Sequence, residues 1–285
     1  MMFIAFLAAM TVQDVQQPPS PPPETEEGRA VLCQQAVEAN PEAGLAEANR
    51  WRARGGGLYA SQCVALAYVA LEQWALAAAT FEQAAQVADR TGDARGADLW
   101  VQAGNARLAG GDAAGALTMF DTALRSRHLS VELRGEVHLD RARALVAQAR
   151  LPQARMAIDQ ALELVPRDPM VWYLSAALAR RQGEAPRART DIARARELAR
   201  DNPEILLLAG TIAGEAGDMA EAERLYRLVA DRAPASTAGR AALESLATMR
   251  EVEVDAPQTS ARPANEVATP PSPATPPPPA DPRQE

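Results

Sequence analysis

The chain is 285 residues long, 47% apolar but only 4% aromatic, and carries 29 arginines, no lysine and 37 carboxylates for a formal net charge of −8. The absence of lysine removes Schiff-base chemistry, the phosphate-loop lysine and a lysine general base, and two histidines with two cysteines are too few for most zinc or iron–sulfur sites. Sixty-three alanines beside so few aromatics favour helix over sheet.

The first ten residues, MMFIAFLAAM, are an uncharged apolar run too short to cross a bilayer as a helix. Residues 1–12 have the length of the hydrophobic region of a signal peptide, although no positive residue precedes the run and Ala9-Met10-Thr11 is a poor cleavage site. A frayed cytosolic N-terminus or a misplaced start codon is the alternative. We favour export, and with it a periplasmic or cell-envelope location, because a polar proline-rich spacer follows directly. Residues 13–28 contain PPSPPP and residues 251–285 contain ten further prolines. Both segments are therefore predicted to be disordered, with polyproline II character around Pro276–Pro279. The acidity sits in these tails, since residues 29–250 hold 27 carboxylates against 27 arginines. A nucleic-acid binder normally shows a basic stripe with stacking aromatics, so this neutral centre argues against nucleic acid as a partner.

Between the tails the chain reads as helices. Residues 29–57 form a degenerate pair, Arg29–Asn40 and Pro41–Arg54, closed by Gly55-Gly56-Gly57; Asn40-Pro41-Glu42 supplies a cap with proline at the first helical position. Residues 58–250 repeat a phrase: an alanine, an apolar residue four later and a small or β-branched residue three after that. The five copies are Ala77/Phe81/Ala84, Ala116/Phe120/Ala123, Ala154/Ile158/Ala161, Ala188/Ile192/Ala195 and Ala222/Tyr226/Val229, at spacings of 39, 38, 34 and 34 residues. Twelve residues before each alanine stands a small residue: Ala65, Gly104, Ala142, Ala176 and Gly210. Breaks at Gly110-Gly111-Asp112, Gly183-Glu184 and Gly217-Asp218 divide copies into two helices, and Asp168-Pro169 and Asn202-Pro203-Glu204 begin new ones. The extra residues of the two long spacings fall in Asp89–Asp98 and Ser126–Gly135, which are predicted to be loops. Ser236 caps a last helix running to about Met249.

These residues resemble the tetratricopeptide repeat, whose 34-residue pattern runs tryptophan, leucine-glycine, tyrosine, alanine, phenylalanine, alanine, proline. WVQAGNARLAGGDAAGALTMFDTAL keeps Trp100, Gly104, Ala116, Phe120 and Ala123; other copies keep Trp172, Tyr68, Tyr226, Pro166 and Pro234. The leucine position departs, as Val64, Ala103, Arg141, Ser175 and Ala209. The resemblance implies an all-α, right-handed solenoid of helix–turn–helix repeats in which neighbouring pairs share one core. It implies that first helices line a concave face, to which Asn105, Leu139, Arg143, Val146, Tyr173, Arg180, Leu207 and Thr211 are carried by alignment. Arg143 and Arg180 beside Tyr173 suit a carboxylate or an extended peptide; the alternative is a solvated face. The lysine- and asparagine-based clamp that some members use for chaperone C-termini is absent, its places being Val101, Asp140, Met170 and Leu174.

The implied function is a non-catalytic scaffold or adaptor for a protein or peptide partner, in a bacterium of GC-rich coding. The rivals are a structural or self-assembling envelope protein, and a tail that itself serves as ligand for a proline-recognising module. No catalytic residue, cofactor or metal site is assigned: nucleophile elbows and glycine-rich phosphate loops are missing, and His128 and His138 lack the spacing of paired ligands on one helix. Cys33 and Cys63 are read either as a disulfide, in an exported protein, or as two small buried apolar residues.

Overall fold

The computed structural model describes residues 25–255. The apolar run at 1–12, most of the proline-rich segment at 13–28 and residues 256–285 of the C-terminal tail lie outside the described residues. The described chain is thirteen α-helices without a strand: α1 (Glu26–Ala39), α2 (Pro41–Ala53), α3 (Gly57–Ala70), α4 (Trp74–Thr91), α5 (Gly96–Ala109), α6 (Ala113–Leu124), α7 (Val131–Ala147), α8 (Leu151–Leu164), α9 (Pro169–Arg181), α10 (Ala185–Leu198), α11 (Pro203–Glu215), α12 (Met219–Arg232) and α13 (Thr237–Asp255). Consecutive helices pack as antiparallel pairs, α1–α2 through α11–α12, with α13 closing the end. The fold is an all-α solenoid.

The helix starts follow from side chains that satisfy the free backbone N–H groups of a first turn. Asn40, Asp112, Ser130, Asp168, Asn202 and Asp218 each accept a bond from a backbone N–H two or three residues on, at 2.8–3.1 Å. Inside each of the five central pairs the turn has one residue in the left-handed region, at the same place in the repeat: Glu72 (φ 55°), Gly111 (83°), Ala149 (57°), Gly183 (76°) and Gly217 (85°). Three of the five are glycine, which takes this conformation without a Cβ penalty.

Three boundaries differ from the sequence expectation. First, α1 starts at Glu26, inside the segment predicted to be disordered, because the Thr25 hydroxyl accepts from the Gly28 N–H at 3.0 Å and two glutamates occupy the first turn. Second, α13 continues past Arg250 to Asp255, since no helix breaker intervenes before Pro257. Third, the long junctions are absorbed partly as helix. The second helix α4 runs 18 residues, until Gly92 takes a left-handed φ of 69°, and α7 runs 17 residues because Ser130 caps it early. Only 92–95 and 125–130 remain as connections.

The core is the repeat phrase itself. All fifteen phrase residues are buried, none more than 7% exposed, as are the five small first-helix residues. The small residues let two helices approach, and the aromatic fills the space: a Cβ on Gly104 would meet the Phe120 ring at 2.5 Å, and one on Gly210 the Tyr226 ring at 2.7 Å. Two tryptophans tie their helices to what precedes them, Trp100 of α5 donating to Asp89 at 2.8 Å and Trp172 of α9 to the Pro166 carbonyl at 2.9 Å. At the N-terminal end Cys33 of α1 and Cys63 of α3 form a disulfide, with Cα atoms 6.3 Å apart, among Val37, Trp51, Ala60 and Val64. A closed loop of this length contributes roughly 3–4 kcal/mol by restricting the unfolded chain.

Two large apolar clusters divide the core at α9. One cluster runs from Ala65 to Leu178 and a second from Ala176 to Leu246. Where they meet, buried Ser175 of α9 accepts from Arg155 of α8 at 2.7 Å and donates to buried Asp191 of α10 at 2.5 Å. Arg155 also donates to the Ser175 carbonyl at 2.9 Å, and Arg187 joins Asp159 at 2.6 Å and Asp191 at 3.5 Å. A polar seam thus replaces the leucine expected at this repeat position.

Candidate functional site

The first helices of successive pairs touch at α1–α3, α5–α7, α9–α11 and α11–α13, whereas no two second helices meet comparably among the described residues. The stack therefore bends with its first helices on the inside. Along this inner wall α7 and α9 do not close on each other, and a groove of about 530 Å³ opens between them. Its space comes from small residues: Ala142 and Ala147 on α7 and Ala177 on α9. Its floor and walls are Val146, Ile158, Leu174 and Leu178, and its rims are Arg143 and Arg181.

The electrostatics of the groove centre on Asp140. Its carboxylate is 14% exposed and accepts from Arg143 at 2.5 Å. Burial among these neighbours pushes its pKa up, an effect that Arg143 and Asn105 oppose only in part. Arg143 uses one terminal nitrogen on Asp140 and is 46% exposed at its side chain, so other donors remain available to a ligand. Arg181, exposed at the end of α9, has no carboxylate partner among the described residues. Tyr173 stands half-buried beyond Arg143; its phenol is raised by burial first, then by Glu204, while Arg143 acts to lower it.

The residues carried across by alignment divide into three groups. Arg143 and Val146 line the groove, and Asn105 and Tyr173 adjoin it through Asp140 and Arg143. Leu139 is a correction: it is 4% exposed and packs with Ala161 and Val171, because α7 is rotated so that this position faces its own second helix and the next pair. The expected pairing of Arg143 with Arg180 around Tyr173 is also corrected. Arg180 donates to Glu215 of α11 at 2.8 Å and lines a separate cleft of about 180 Å³ with Ile212. Leu207 packs partly buried on the C-terminal core, and the Thr211 hydroxyl bonds the Leu207 carbonyl at 3.1 Å and the Tyr226 hydroxyl at 3.3 Å. The alignment missed Ala177, Leu178 and Arg181, which line the groove on α9, whereas Leu174, at one of the absent clamp's places, lines it as well.

His128 is exposed in the 125–130 connection, while His138 is half-buried among Arg134, Arg141 and Asp121. Burial, then the two arginines, hold its pKa below the usual histidine range. No cluster of three or more His, Cys, Asp or Glu suited to a metal occurs among the described residues.

The fold and this inner wall define an α-helical repeat protein with an apolar, arginine-rimmed groove between first helices. The family model for the tetratricopeptide repeat matches residues 139–203 and 176–237, so over that stretch the chain is similar to the tetratricopeptide repeat. Comparison with curated proteins gives no match. Among solved structures the chain is similar to PilF of Pseudomonas aeruginosa (TM-score 0.59, 16% identity, covering 77% of this chain and 99% of that one). It is similar also to PilW, described as a type IV pilus biogenesis factor (0.63, 17%, 77% and 99%), and to a thermophilic TPR protein of Thermus thermophilus (0.55, 19%, 67% and 100%). At these identities the likeness is one of fold. Proteins of this fold generally mediate protein–protein interactions, and no described helix is long and apolar enough to cross a membrane.

Proposed function

We propose that this chain is a non-catalytic scaffold of the bacterial cell envelope that holds a segment of another protein against its inner wall. The observation that carries the reading is the groove between α7 and α9, an apolar concavity on the face where the first helices converge. Concave apolar surface with a few placed polar groups is what a peptide or helix needs for capture. Placement outside the cytosol is supported by the Cys33–Cys63 disulfide, since such bonds persist in oxidising compartments and are rare in the cytosol. The fold shared with PilW, a type IV pilus biogenesis factor, is compatible with that placement.

Cross-linking capture from the native host tests the proposal, using the full chain, a Leu174→Arg variant and a form lacking residues 256–285. A partner lost with Leu174→Arg but kept without the tail supports the groove. The opposite pattern assigns binding to the proline-rich tail.

A further inference from the structure

We infer that the α7–α9 groove selects a partner segment carrying a bulky apolar side chain next to one or more carboxylates. This deepens the reading above and rests on it. The apolar half of the argument is the lining: Val146, Leu174, Leu178 and Ile158 leave a space of about 530 Å³ that the surrounding alanines do not fill. Removing such surface from water is favourable in proportion to its area, and an anchor side chain enclosed in a pocket dominates binding energy.

The charged half is the rim. Two arginines, Arg143 on α7 and Arg181 on α9, line the groove from opposite helices. The one carboxylate bonded to them is Asp140, which is mostly buried and held by Arg143. Glu204 lies beyond, toward the Tyr173 hydroxyl. The groove mouth therefore carries an excess positive charge, in a region whose arginines and carboxylates otherwise balance. Arginine presents a planar fork of donors matched to carboxylate, and the exposed part of Arg143 keeps two of its three nitrogens free of Asp140. A ligand with lysine or arginine beside its anchor would meet like charge at both rims, which gives selection as well as attraction.

Nearby arginines do not repeat this arrangement. Arg180 is paired with Glu215, Arg155 is buried in the polar seam, and Arg187 is held between Asp159 and Asp191.

The test pans the full-length protein with phage-displayed random twelve-residue peptides, then measures enriched peptides by fluorescence polarisation. The variants are Arg181→Glu, at an exposed position that leaves folding unaffected, and Ala177→Asp inside the groove, each checked by circular dichroism. The expected result is enrichment of Leu, Ile, Met or Phe beside Asp or Glu. Affinity should fall at least tenfold with Arg181→Glu and recover when the peptide's carboxylates are replaced by lysine. Binders that lack carboxylates but are lost with Ala177→Asp would overturn the charge selection while leaving the groove as binding site. Binders indifferent to both variants, or a library with no binder, would overturn the groove reading along with it.

Discussion

Ala149 and Glu72 hold the left-handed turn position at φ of 57° and 55°, where the other central repeats use glycine. A side chain there costs about 1 kcal/mol. Ala149→Gly is accordingly expected to raise stability by about 1 kcal/mol and Gly183→Ala to lower it by about as much or more, read as urea midpoints shifting without a change of slope. Two carboxylates titrate in opposite senses. Arg95 grips Asp93 through side-chain and backbone bonds and lowers its pKa to about 2, so its stabilisation is complete above about pH 4 and is lost as pH falls through about 2. Asp140 is raised by burial, so the folded state binds its proton more tightly than the unfolded chain does. Its favourable contribution is present below the ordinary aspartate pKa and is lost as pH rises through the folded value. Thermal melts across pH 3–7 check both: Asp140→Asn should melt above the wild type at pH 7 and converge with it in acid, whereas Asp93→Asn should show its deficit at neutral pH.

Among the elements, the joint of α8, α9 and α10 is the place where apolar packing gives way to hydrogen bonding. Ser175 stands at the position where the repeat pattern has leucine, and this departure was visible in the sequence without its meaning. Only the packing shows that its hydroxyl links Arg155 to Asp191. Burial and the Arg187 charge lower the pKa of Arg155, an effect that Asp159 and Asp191 oppose. Ser175→Ala leaves two buried polar groups short of a bond and should cost about 1–3 kcal/mol. Adding Arg155→Met should cost less than the sum of the single changes, because the unpaired donor goes with it. Equilibrium denaturation of the four proteins in the cycle decides this. The early start of α7 departs from the loop that the repeat spacing predicts over Ser126–Gly135, because the Ser130 hydroxyl accepts from the Leu133 N–H and begins the helix there.

For the whole molecule, a stack of this kind is stable only when its end faces are covered. At the C-terminal end α13 does this through Ala238, Ala242 and Leu246, which are buried against the α11–α12 pair. A chain ending at Ala233 should therefore associate with rising concentration, while the full chain does not, as light scattering will show. Caps, turn glycines and the recurring alanine–aromatic–small phrase are local or periodic features. The residues alone were enough to establish paired helices stacked as an all-α solenoid. The working part of the groove was a tertiary decision. Leu139 turned inward, Arg180 was taken by Glu215, and Arg181 with Leu174 came to the opening. Position along a helix assigns a side chain to a face only within about one residue in 3.6 per turn. Which edge of that face borders empty space depends on how far apart two neighbouring helices stand, and that distance is set by packing across the stack.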